Sequence, residues 1–311
     1  MKTTVPEALK ADLPPTFWGK VLSATPVVLA VVATMLAGLS SSEMTRAQYA
    51  RSLAAQMQSK AGDQWSFFQA KRLRSALQGN TLDLLVSSAA PRALDPAIVI
   101  GLLAGSPAAA GAGSAAGREA LALLAEGRLP RTADAPELAA GIRAALAAVE
   151  GAEPDAIIIA RLAEVTEAEL EAAVRRARDH TLAFDETLKP TLKQIDDAAA
   201  VIERGAQTDA ALRRDFVAAR IGFHARRYDA EARLNQAVAS LYELQVRKTN
   251  LTAERHHRRS QRFFFGMLAA QLGVIVSTLA VAARQRNLLW SFAAAAGVLA
   301  VGFAIYVYLY V

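Results

Sequence analysis

The 311-residue chain has no cysteine, so disulfides, thiol nucleophiles and thiolate metal sites are excluded. Histidine is scarce: His180, His224, His256 and His257 are the only four, and none forms an i, i+4 pair of the metalloprotease kind. Proline is missing from 27–90 and from everything after 190, which permits long helices in both stretches. Charge is missing from three runs, Val21–Ser42, Phe263–Ala283 and Asn287–Val311, of 22, 21 and 25 residues. A hydrocarbon core of about 30 Å needs roughly 20 helical residues, so each run is long enough to cross it. No Asp, Glu, Lys, Arg or His lies inside them, which argues against an ion path or proton relay through one protomer.

What is present completes an all-α membrane architecture. Three transmembrane helices are expected, with a long-helix, coiled-coil-like soluble domain between the first and second spans. The organisation reads as an N-terminal tail (1–20), a first span acting as an uncleaved anchor (21–42), and a long helix (43–79) stopping near Gly79-Asn80. An Ala/Pro/Gly-rich helical head or insert (80–155) follows, then a helical stalk (156–262), the second span (263–283), a tight basic hairpin (284–287) and the third span (288–311). Trp65, Phe68, Gln69 and Arg72 form a stripe at i, i+3, i+4, i+7. Leu234, Val238 and Leu241 repeat with 4–3 spacing and continue through polar Gln245 and Lys248 to Leu251 as a short, imperfect heptad seam, and Leu188, Leu192, Ile195, Ala199 and Ile202 also have 4–3 spacing.

Basic residues set membrane orientation. Arg46, Arg51, Arg247, Lys248, Arg255, Arg258, Arg259 and Arg262 flank the spans on the soluble-domain side, against Lys2, Lys10, Lys20, Arg284 and Arg286 on the other. That balance places the soluble domain in the cytoplasm. Arg255, His256, His257, Arg258, Arg259 and Arg262 abut the second span at headgroup depth, so anionic lipid headgroups are the expected contact alongside the bilayer itself. Without aromatic interleaving or a binding motif, the basic run is not read as a nucleic-acid site.

No constellation points to a reaction. Gly111-x-Gly113-x-x-x-Gly117 has the wrong spacing for a dinucleotide turn and no strand–helix repeat around it, so the Ala/Gly run 104–117 reads as linker. Asp196-Asp197 and Glu167-x-Glu169-x-Glu171 read as solvated helix faces. The expectation is a non-enzymatic protein with no catalytic residue, cofactor or metal site.

The segment Asp63-Gln64-Trp65-Ser-Phe67-Phe68-Gln69-Ala70-Lys71 resembles the signature of a bacterial family, domain of unknown function 4337. The basic approach 255–262 and the Arg-containing turn before Leu288, Leu289 and Trp290 are similar to its C-terminal half. The resemblance implies a three-span protein of the bacterial inner membrane and supplies no chemistry. Within it, Asp63, Gln64, Trp65, Phe68, Gln69 and Lys71 are candidate packing and hydrogen-bonding residues at the helix seam. The functional expectation is an oligomeric scaffold or interaction module, with a homo-oligomer as partner. The alternative is an oligomeric channel or transport component whose third span lines a pore.

Overall fold

A computed structural model of the chain describes residues 17–203, 209–282 and 286–310. Most of the expected N-terminal tail (1–16) and positions 284 and 285 of the hairpin lie outside the described residues. Among those described there are nine helices and no strand: α1 (Phe17–Ala89), α2 (Pro96–Leu103), α3 (Ala109–Ala112), α4 (Ala115–Glu126), α5 (Ala140–Glu150), α6 (Asp155–Ala163), α7 (Glu167–Ile202), α8 (Ala210–Ala282) and α9 (Arg286–Tyr310). Helices α1, α8 and α9 are long and apolar enough to cross a membrane. The chain divides into two compact units, one of 1–54 with 249–311 and the other of 55–248.

In the first unit, α1, α8 and α9 pack through small residues. Ala33, Leu36, Phe263, Ala270, Ala300 and Val307 form its core. A Cβ on Gly273 would meet Leu29 Cδ1 at 3.0 Å and the Ala293 carbonyl at 3.4 Å, so this glycine allows close helix approach. The inward positions of α1 step by four and three, through Leu29, Ala33, Leu36, Ser40, Glu43, Ala47, Ala50 and Ala54. That heptad rhythm keeps one face of a long helix turned to its neighbours. Trp290, near one end of α9, donates to Thr25 Oγ1 at 3.0 Å. Tyr306, Tyr308 and Tyr310 are exposed near the other end. From 290 to 308 an α-helix rises about 27 Å at 1.5 Å per residue, which matches the separation of the two aromatic belts of a bilayer-spanning helix.

In the second unit, α1 does not stop at Gly79-Asn80 but continues to Ala89. A helical glycine costs about 1 kcal/mol relative to alanine. Continuing lets Leu82 reach α8, where its Cδ2 would lie 3.4 Å from a Cβ on Gly222. The helix ends where Ala90 turns to φ 39°, one residue before Pro91. Asp215 of α8, almost fully buried, accepts from the Arg92 backbone N–H at 2.9 Å and fixes the chain after this turn.

The Ala/Gly run expected to be linker is folded in this unit. Ser114 caps α4 by accepting from the Gly117 N–H at 3.0 Å, and Gly127 closes the helix in the left-handed region. A Cβ on Gly117 would lie 2.8 Å from Ala112 Cα, so glycine there permits the contact of α3 with α4. Leu103, Ala112, Leu121 and Leu124 enter one core with Ile195, Ile202, Phe216 and Phe223. Composition points to flexibility because small residues dominate linkers; here small size serves tight packing. Helix α7 starts at a capping box, in which Thr166 N–H donates to Glu169 Oε2 at 2.8 Å and Glu169 N–H donates to Thr166 Oγ1 at 3.2 Å. The Thr166 backbone N–H and then its hydroxyl, both donating to the Glu169 carboxylate at 2.8 Å, hold that carboxyl below its ordinary value.

Candidate functional site

A cluster of charged side chains in the second unit lies where α1, α7 and α8 meet. From Met57 onward the inward positions of α1 are Ala61, Gln64, Phe68, Lys71, Ser75 and Gln78, again at four-and-three spacing. Lys71 pairs with Glu231, whose carboxylate is almost fully buried. Arg227, one turn earlier on α8, donates to Glu231 Oε1 at 2.5 Å. Two cations on one carboxylate compensate the cost of taking it out of water. Lys71 Nζ and Arg227 Cζ each lie 5.4 Å from the Tyr228 ring centroid, and Arg74 Cζ lies 5.9 Å from it. The negative ring face disperses part of this positive charge.

Asp185 of α7 completes the cluster. Burial pushes its carboxyl above the ordinary value and the Glu231 carboxylate adds to the rise, while Lys71 and Arg227 oppose it. A cavity of about 290 Å³ is lined by Lys71, Asp185, Lys189, Arg227 and Glu231, among others. Beside the cluster His224 stacks on Tyr228, with ring centroids 6.2 Å apart. Burial lowers the imidazole below its ordinary value, and Arg227 and Arg220 push it further down. Nearby, Asp229 accepts from Arg72 at 2.7 Å and pairs with Arg233 at 2.6 Å, beside an open, mainly apolar groove of about 720 Å³ lined by His180, Phe184 and Leu234. Chemically the cluster balances ions of both signs around the buried Glu231 carboxylate. The carboxylates face cations of the same cluster.

The signature residues separate into two groups. Trp65 donates its indole N–H to Glu243 Oε1 at 2.7 Å and meets Phe68 edge to face at 5.4 Å. Gln64, Phe68 and Lys71 face inward, whereas Asp63 and Gln69 are exposed. Of the stripe, Trp65 and Phe68 are half-buried, Arg72 is exposed yet reaches Asp229 of α8, and Gln69 is exposed. Bulky residues draw the stripe one position off a seam built of Ala, Ser and Gln. Asp185, Arg227, Glu231 and Tyr228 carry no sequence signal, because their partner Lys71 lies more than 100 residues away.

A second polar set lies in the first unit, next to the apolar stretches. Ser40 Oγ donates to the Ser260 carbonyl at 2.9 Å and Ser260 Oγ returns the bond to the Ser40 carbonyl at 2.8 Å. One turn further from the apolar stretch, Glu43 Oε2 lies 2.6 Å from His256 Nδ1, and Arg46 donates to Glu43 Oε1 at 3.2 Å. Of the basic run, Arg255 and Arg258 are exposed, with Arg258 donating to Glu254 at 2.9 Å. That bond holds the Glu254 carboxyl below its ordinary value. His256, His257, Arg259 and Arg262 are half-buried.

No curated protein and no solved structure matches the chain. Residues 18–99, which take in the first apolar stretch, Glu43, Trp65 and Lys71, match the model of one family, described as domain of unknown function (DUF4337), and this match supports that family for the N-terminal part of the chain.

Proposed function

We propose that the protein is a non-enzymatic, oligomeric scaffold or interaction module held in the bacterial inner membrane by three spans, with its helical soluble domain in the cytoplasm. The observation that carries this reading is how the polar side chains are used. Lys71, Arg227, Glu231 and Trp65 bind one another or Glu243 across long helices, which fixes helix register even where Lys71, Arg227 and Glu231 line the cavity. A buried charge pair used in this way specifies alignment more than it adds stability. The Ser40–Ser260 and Glu43–His256 contacts do the same in the first unit. The excess of basic residues beside α1 and α8 supports the cytoplasmic placement, and exposed Arg255 and Arg258 are the side chains best placed for anionic headgroups.

The exposed face of α9 carries Phe292, Val298, Leu299, Ile305 and Leu309, which suits lipid better than a water-filled pore. An anchor is therefore favoured over a pore-lining span. The test is the mass of the purified protein in mild detergent, with chemical cross-linking in native membranes. Oligomers or a captured partner are expected; a strict monomer with no cross-linked product would contradict the scaffold reading.

A further inference from the structure

Helix α1 carries a second stripe on the side away from its packing seam. Leu73, Leu77 and Leu84 are 62%, 56% and 70% exposed. At 100° per residue their mean direction lies about 160° round the helix from the inward row of Gln64, Phe68, Lys71, Ser75, Gln78 and Leu82. With Ser66, Ala70, Asn80 and Ser87, all exposed, they form an unbroken four-and-three pattern. Ala70, Leu77 and Leu84 take the a positions of a heptad, and Ser66, Leu73, Asn80 and Ser87 the d positions.

We infer that this stripe, 66–87, is a dimer seam that pairs in parallel with the same stripe of a second copy; the inference rests on the scaffold reading and specifies its interface. The occupant that fits the stripe is a second copy of this chain. First, α1 is one uninterrupted helix from Phe17 to Ala89, so copies anchored by it in one membrane present 66–87 in the same direction. Second, of the two orientations only the parallel one gives Asn80, exposed on this stripe, a matching partner. In a parallel coil each core position meets its own counterpart, so the Asn80 amide of one copy donates to the Asn80 carbonyl of the other. In an antiparallel coil a d position faces an a position, and Asn80 would oppose Ala70, Leu77 or Leu84. Third, the flanking positions accept the parallel register without like-charge contact: Gln69 faces Arg74, Ala76 faces Thr81 and Asp83 faces Ser88.

Three heptads are short for a free coiled coil. Confinement to one bilayer raises the effective concentration of the two stripes and makes a weak seam sufficient. A polar Asn80 layer sacrifices some affinity and favours the register that pairs the two amides.

The natural lack of cysteine makes the test direct. Single substitutions Leu73→Cys, Leu77→Cys and, off the stripe but equally exposed, Val86→Cys are made in the full chain and oxidised in intact membranes. Disulfides form only where Cα atoms approach within about 7 Å, so Leu73→Cys and Leu77→Cys are expected to give about tenfold more linked dimer than Val86→Cys. Adding Leu77→Asp to Leu73→Cys is expected to abolish the linked dimer with far-UV circular dichroism unchanged, which separates a lost seam from a lost fold. Equal yields at 73, 77 and 86, or no dimer at 73 and 77, would overturn the seam. If the unsubstituted protein is still oligomeric by light scattering, that failure is confined to this interface; if it is a strict monomer, the scaffold reading falls as well.

Discussion

Trp65 Nε1 donates to Glu243 Oε1 at 2.7 Å, joining α1 to α8 between residues 178 positions apart in the sequence. The bond has a charged acceptor and is partly buried, so its loss costs more than that of a neutral surface hydrogen bond. Trp65→Phe keeps an aromatic ring beside Phe68 and removes the donor. The expected destabilisation is about 1–2 kcal/mol in thermal unfolding followed by circular dichroism. Glu243→Gln retains an acceptor and is expected to lose less.

Lys71 and Arg227 share Glu231. Lys71→Met leaves the buried carboxylate with one cation, and breaking a buried pair in this way costs about 3 kcal/mol. It also removes one of the charges that hold Asp185 down, so the Asp185 carboxyl should titrate still higher. Carboxyl titration by NMR of the isotopically labelled protein checks the second outcome independently of stability. An unchanged Asp185 titration would place Lys71 outside the cluster electrostatically.

The raised Asp185 gives the fold a pH dependence of definite sign. A carboxyl whose folded value exceeds its ordinary 3.8 binds more protons folded than unfolded in the window between the two. Stability from this group is therefore present at low pH and is lost as pH rises through that window. His224 acts in the opposite sense. Its lowered value means that stability is present above 6.5 and is lost as pH falls from 6.5 through the lowered value. Asp185→Asn should flatten the fall on the acid side and leave the His224 window in place. Melting temperatures at stepped pH for the parent and Asp185→Asn proteins read this out.

Gly117→Ala separates a packed helix from a linker. In a linker the change is neutral or slightly stabilising, because it restricts the unfolded chain. Where a Cβ would lie 2.8 Å from Ala112 Cα, backbone must move, and overpacking of this kind costs about 1–3 kcal/mol. A drop in melting temperature is expected.

The three apolar helices are legible because a helix with any face in water seldom goes a full span length without a charge. The capping box of α7 has its Thr166 and Glu169 in plain order, yet its acidic residues read only as a solvated face. The α1 seam is not legible. Ala47, Ala50, Ala54 and Ala61 carry little hydrophobic contrast in an Ala-rich chain, and Lys71 at an inward position looks like a surface residue until Glu231 is placed beside it. The run 104–117 misleads for a related reason: composition cannot distinguish small residues chosen for freedom from small residues chosen for closeness. The partnership of Lys71, Asp185, Arg227 and Glu231 depends on tertiary proximity alone, which no local pattern encodes.

The proposed topology has three helices crossing a membrane and the soluble helices on its cytoplasmic side. Its most direct measurement is labelling of Glu171→Cys and Asn287→Cys, each introduced singly, with a membrane-impermeant maleimide in intact cells. An odd number of crossings between the two sites predicts that Asn287→Cys labels from outside while Glu171→Cys labels only after lysis. Labelling of both from the same side would contradict the three-span account, and labelling of Glu171→Cys alone from outside would reverse its orientation.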